Sequence, residues 1–167
     1  MRSIVVIAAL AGALSLPATT AAATQPANFH FSVTIDAVST IGGCCSDTVV
    51  GETTAAFPRI GRATLTAGFF RCGPSYCFPN GDNFLSLTFV TPSGATLVLG
   101  GGATGGTFTA SGTWEAFPGG SSGRFGGVTG SGTWSATFTP TGPGGPGGQT
   151  PGTLAISISG TLSLASG

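Results

Sequence analysis

Thr153-Leu154-Ala155-Ile156-Ser157-Ile158-Ser159-Gly160-Thr161-Leu162-Ser163-Leu164 alternates apolar and small polar side chains along almost its whole length. Leu154, Ile156, Ile158, Leu162 and Leu164 share one parity, and Ser157, Ser159, Thr161 and Ser163 share the other. A period of two puts alternate side chains on opposite faces of an extended chain, so the segment has one face for a core and one for water.

The same pattern recurs upstream. Phe29, Phe31, Val33, Ile35 and Ala37 oppose His30, Ser32, Thr34 and Asp36. Ala63, Leu65, Ala67 and Phe69 oppose Arg62, Thr64 and Thr66, and Leu85, Leu87, Phe89, Leu97 and Leu99 extend the apolar set past a turn at Pro92–Gly94. After the N-terminal segment no stretch carries a helical period, and glycine and proline punctuate the chain. These features predict an all-β domain, an antiparallel β-barrel of about eight strands, with a β-sandwich as the alternative. The barrel is favoured because both terminal strands are full, well-patterned partners and not blunted edges.

A duplication supports the same architecture. Gly106–Ala116 and Gly126–Ala136 align, and both copies contain Ser-Gly-Thr-Trp, ending at Trp114 and Trp134. The intervening turn, Pro118–Gly123, makes the copies the two arms of a hairpin. By parity Trp114 and Trp134 face inward with Phe108, Val128 and Phe138, as do Gly112, Gly130 and Gly132, which leave room beside the indoles. Large side chains against small ones suit a tapering barrel; a small ligand cavity lined by Trp114 and Trp134 is the functional reading of the same residues. Residues 139–152 carry Pro140, Pro143, Pro146 and Pro151 among glycines and are expected to be a flexible connection, long enough for the last strand to cross over.

The chain is nearly uncharged: 6% Asp, Glu, Lys and Arg, with a formal net charge of zero. Nothing here attracts nucleic acid or an anionic membrane. The N-terminus explains where such a surface belongs. Arg2, the uncharged run Ile4–Leu16 and the small residues Ala21, Ala22 and Ala23 have the order of a secretory signal peptide over residues 1–23. The run of 13 residues is short against the ~20 a membrane-spanning helix needs. Residues 24–167 are then a single exported domain, secreted and extracellular, with no membrane span after signal removal.

Export gives the four cysteines a meaning. Cys44, Cys45, Cys72 and Cys77 are expected to form disulfides. A Cys44–Cys45 bridge would strain a ring between adjacent residues, so each of these two is expected to reach one of Cys72 and Cys77. Such bridges close loops of about 30 residues and contribute roughly 3–4 kcal/mol each. A zinc site is the weaker rival, since paired C-x2-C motifs are absent. The cysteines fall in two expected loops, Gly42–Pro58 and Arg71–Asn83, forming a platform at one end of the barrel. Arg71, Tyr76 and Asp82 are the candidate ligand-binding residues there. Calcium at Asn80, Asp82 and Asn83 would lack the spaced carboxylates of a loop site.

Catalytic groups are scarce. His30 is the sole histidine, and Asp36, of the same parity, stands six residues away, about 20 Å along a strand. No G-x-S-x-G elbow marks a nucleophile. Thr-x-Thr recurs at Thr64–Thr66, Thr107–Thr109 and Thr137–Thr139, as an uncharged exposed strand prefers, although a ladder of this kind also suits carbohydrate or ordered water. No cofactor and no metal are expected.

Ser122-Gly123-Arg124-Phe125-Gly126-Gly127-Val128-Thr129-Gly130-Ser131-Gly132 resembles the G-x-G-R-F-x-G-x-x-G-x-G stretch of exported bacterial β-proteins of unknown function. It is distantly similar to a stretch in the dirigent and allene oxide cyclase-like barrels. Ser121 stands where the bacterial group has its first glycine. The resemblance implies an eight-stranded antiparallel barrel with an apolar interior, and it carries no active-site residue onto this chain. Arg124 is expected to cover a rim and Phe125 to plug an end. The functional expectation is a non-catalytic exported barrel that binds a small apolar or saccharide ligand; the alternative is a dirigent or cyclase-like enzyme or stereochemical guide acting in the cavity.

Overall fold

The structure, a computed structural model, describes residues 26–41, 45–72, 83–105 and 108–165. The expected signal peptide and Cys44, Tyr76, Cys77 and Asp82 lie outside them. Eight strands follow in order: β1 (Ala27–Ile41), β2 (Cys45–Phe57), β3 (Gly61–Cys72), β4 (Asn83–Val90), β5 (Thr96–Gly105), β6 (Thr109–Ala116), β7 (Thr129–Pro140) and β8 (Gln149–Ser163). Each pairs antiparallel with the next, and β8 returns to β1, giving a closed barrel and not two stacked sheets.

The closing seam is the longest pairing, running from Ala27↔Leu162 to Thr40↔Gln149. Here the two best-alternating segments of the chain meet. Phe29, Phe31, Ile35, Leu154, Ile156, Ile158 and Leu162 are all buried, while His30, Ser32, Thr34 and Asp36 are exposed. Closure leaves neither strand with a free edge, so the patterned strands at the two ends of the sheet serve each other.

Two expectations are corrected. Gly42–Pro58 is largely strand: β2 pairs with β3 from Cys45↔Cys72 to Phe57↔Gly61. Residues 139–152 are strand at both ends, which shortens the expected connection to 141–148. Thr139 and Pro140 end β7, Gln149–Gly152 begin β8, and Pro140 lies opposite Gly152 at the end of the ladder, where a missing N–H costs little. The connection shrinks to a turn held by Thr141 N–H to Pro151 O at 2.9 Å and Gly145 N–H to Gln149 O at 2.6 Å. The last strand therefore hairpins back without crossing over.

Aromatic rings occupy much of the interior. Phe57, Phe31, Phe29 and Trp114 form a continuous edge-to-face series with centroid separations of 5.3, 5.5 and 5.8 Å, and Phe89 packs against both Phe57 and Phe31. Among the described residues, pairing between β1 and β2 covers Ala37–Ile41 against Asp47–Gly51, and Phe31 and Phe57 meet past its Ala37↔Gly51 end. Edge-to-face pairs of this kind contribute roughly 0.5–1.5 kcal/mol each beyond the area they bury.

The barrel end carrying the β2–β3, β4–β5 and β6–β7 connections is plugged from its turns. Ile60, Phe125 and Val128 are fully buried there, Phe125 from a single 3-10 turn at Gly123–Phe125. The Arg124 guanidinium lies 4.7 Å from the Phe125 ring centroid and donates to the Ile60 carbonyl oxygen, tying two turns together. Arg124→Ala is therefore expected to cost about 1 kcal/mol, read as a lower urea midpoint with an unchanged denaturation slope.

Candidate functional site

The two tryptophans owe their positions to the duplication. In the β6–β7 hairpin Gly112 is opposite Trp134 and Trp114 is opposite Gly132, so each indole meets the glycine of the other copy. Trp114 donates its indole N–H to Ser159 O at 3.1 Å, and Trp134 donates to Thr113 O at 3.2 Å. A Cβ on Gly132 would stand 2.7 Å from Trp114 Nε1, and one on Gly160 would stand 2.8 Å from Trp114 Cζ2. The glycine space beside Trp114 is thus filled by the indole itself, and both indole N–H groups are already paired. Among the described residues only Ser39 and Thr91 are polar and buried, and the Thr91 hydroxyl is engaged with Ala95 and Ser93 in the β4–β5 turn. No acid, base or nucleophile pair stands beside the indoles among these residues.

Phe108 keeps the expected side, beside inward Phe138, but is not enclosed. It precedes β6, is 49% exposed and stacks on Phe138 at a centroid distance of 6.2 Å. Its carbonyl oxygen accepts from Phe138 N–H at 2.8 Å, so pairing with β7 extends to this residue just before β6.

His30 lies on the outer wall. It is opposite Ser159 on β8, and Ser159 is opposite Thr133 on β7; the next row is Ser32, Ser157, Ser135 and Ser111 across β1, β8, β7 and β6. The Ser32 and Ser157 hydroxyls are 2.8 Å apart, and Thr54 and Thr64 form a similar pair at 2.9 Å on β2 and β3. This wall is wetted by hydroxyls in place of charge. Asp36 is opposite Thr153, far along β1 from His30, so no Asp–His couple forms there. Among the described residues no cluster of His, Cys, Asp and Glu could hold a metal, and no helix is long and apolar enough to cross a membrane.

Of the candidates near the cysteines, Arg71 is placed by its backbone alone, in β3 between Asp47 of β2 and Asn83 of β4. Tyr76, Asp82 and Thr107 lie outside the described residues.

The feature that sequence reading passed over is an apolar groove on the outside of β4 and β5. Its lining includes Phe84, Ser86, Val98, Gly100 and Phe117, and its volume is about 440 Å³. Phe84 stacks on Phe70 at 4.7 Å and 17°, making one wall, while Phe117, 49% exposed, makes the other. Gly100 lets the Phe117 ring lie close on the strand: a Cβ there would stand 2.8 Å from that ring. Phe117 is anchored where β6 leaves the barrel, its N–H donating to Val98 O at 2.9 Å, and the following turn is held by Ser121 Oγ, which donates to Phe117 O at 2.9 Å and accepts from Val98 N–H at 3.1 Å. A signal for this groove was present in the sequence, since Phe70 and Phe84 each sit next to an inward residue (Phe69, Leu85) and so fall on the outward parity where Ser and Thr are the rule. No protein-family model matches the chain, and neither curated proteins nor solved structures provide a match.

Proposed function

We propose that this chain is an exported, non-catalytic β-barrel that holds a small apolar ligand in the groove between Phe84 and Phe117. The single observation that carries this reading is the groove itself, an outer-wall recess between the Phe84 ring and the Phe117 ring that lies over Gly100, with Val98 and Ser86 completing a mostly apolar lining. Its volume of about 440 Å³ falls in the range of small-molecule sites, which are mostly apolar with few polar groups. Of the two ligand classes expected from sequence, the lining favours the apolar one. A saccharide brings hydroxyls that must be hydrogen-bonded when desolvated, and Ser86 is the only hydroxyl-bearing residue of the lining. A ring or fused-ring hydrocarbon loses nothing there and gains two aromatic faces. The order of residues 1–23 supports export, and an uncharged Ser/Thr wall suits an extracellular carrier.

The test is titration with the neutral fluorophore N-phenyl-1-naphthylamine, with cello- and chito-oligosaccharides as competitors. Wild-type protein is expected to bind the dye, and Phe117→Ser to weaken binding about tenfold, close to the 1.4 kcal/mol of one lost contact face. Phe117 is exposed, so the variant should melt at nearly the wild-type temperature. Unchanged dye affinity in Phe117→Ser, or displacement of the dye by oligosaccharide, would overturn the reading.

A further inference from the structure

We infer that Cys45 and Cys72 form a cross-strand disulfide that fastens the start of β2 to the end of β3. The observation is the backbone register, in which Cys45 and Cys72 are Cα partners at the end of the β2–β3 ladder. Directly opposite residues of an antiparallel pair have Cα atoms about 4.5–5.5 Å apart, on the same face of the sheet. That spacing lies inside the roughly 4.4–6.8 Å window that a disulfide spans. Sequence reading left open which of Cys72 and Cys77 each of Cys44 and Cys45 reaches; the register selects one.

The bridge also has a structural task. Pairing shifts between Cys45 and Asp47, so Ser46 is an extra residue on β2, and among the described residues the Cys45↔Cys72 pair alone lies beyond this bulge. A bulge loosens the ladder and increases local twist, and one terminal backbone pair beyond it holds the register weakly. A covalent link at that pair fixes it. In forming, the two thiols lose two protons and two electrons to a disulfide oxidant, which is reduced to two thiols through a mixed disulfide.

The test uses purified full-length protein in a glutathione redox buffer, so its outcome does not depend on where the chain resides. Cys44→Ser/Cys77→Ser keeps the inferred pair, and Cys44→Ser/Cys72→Ser keeps Cys45 with Cys77. The first variant is expected to close at a glutathione ratio at least about tenfold more reducing than the second, as read by loss of alkylatable thiols. In wild-type protein, chymotrypsin cleavage after Tyr76 separates Cys72 from Cys77, and electron-transfer fragmentation between residues 44 and 45 is expected to place Cys72 on Cys45. A Cys72–Cys44 or Cys45–Cys77 link in that map, or equal closure of the two variants, would overturn the inference. The wild-type map decides the matter even where a variant folds poorly.

Discussion

Trp114→Ala should be the most damaging single truncation in the barrel, costing about 3–5 kcal/mol and lowering the melting temperature by roughly 10 °C or more. Trp114 is the largest fully buried side chain among the described residues. It packs edge to face on Phe29 at 5.8 Å and donates to Ser159 O at 3.1 Å. The size of a cavity penalty depends on how far the surroundings can collapse into the space. Beneath this indole the lining is glycine, Gly132 on β7 opposite Gly160 on β8. Neither has a side chain that can swing in, and both are fixed by the ladder. Trp114→Phe keeps part of the ring volume and loses the N–H bond, so an intermediate loss is expected. Equilibrium urea unfolding checks the order wild type, Phe, Ala. A loss under 1 kcal/mol for the alanine variant would mean that the hairpin hosting both indoles is not part of the cooperative core.

The duplicated Ser-Gly-Thr-Trp units show how far sequence alone reaches. Antiparallel pairing of two similar arms puts the glycine of each copy opposite the tryptophan of the other, and parity was enough to place both indoles inside. Strand β2 escaped the same method because it is written in doublets: Val49-Val50, Thr53-Thr54 and Ala55-Ala56. Within each pair one residue turns further inward than its twin, so Val49 is 1% exposed and Val50 41%. A two-residue period in chemical type is thereby erased while the period in geometry survives. The turn between β7 and β8 is shorter than its composition suggests, for the opposite reason. Proline and glycine forbid little at the end of a ladder, where Pro140 meets Gly152. Neither inward parity nor charge marks the outer groove, since Phe70, Phe84 and Phe117 have neither.

The same parity rule makes its sharpest claim at two adjacent glycines of β5. Gly101→Ala is expected to destabilise by about 3 kcal/mol, at the upper end of overpacking costs, whereas Gly102→Ala should change stability by no more than about 0.5 kcal/mol. A Cβ on Gly101 would overlap the Thr113 carbonyl oxygen and stand 2.8 Å from Trp114 Cα; a Cβ on Gly102 meets nothing within 4 Å. The atoms in the way at Gly101 are backbone, so no rotamer change relieves them. Relief requires β5 to move off β6, and with it the segment that seats Trp114. On Gly102 the new methyl enters open space on an exposed strand position, where alanine restricts the unfolded chain slightly more than glycine. Composition, hydropathy and helix or strand propensity treat the two substitutions alike, so a paired urea measurement isolates geometry. Equal losses would show that β5 and β6 do not approach each other at Gly101, and the packing of Trp114 against that strand would fall with them. Unequal losses in the stated order would also bear on the groove: Gly100, next in line on the outer parity, carries Phe117 as Gly101 carries the β6 backbone. Small residues on the two faces of one strand would then serve opposite ends, one letting the barrel close and the other letting a ring lie flat on its wall.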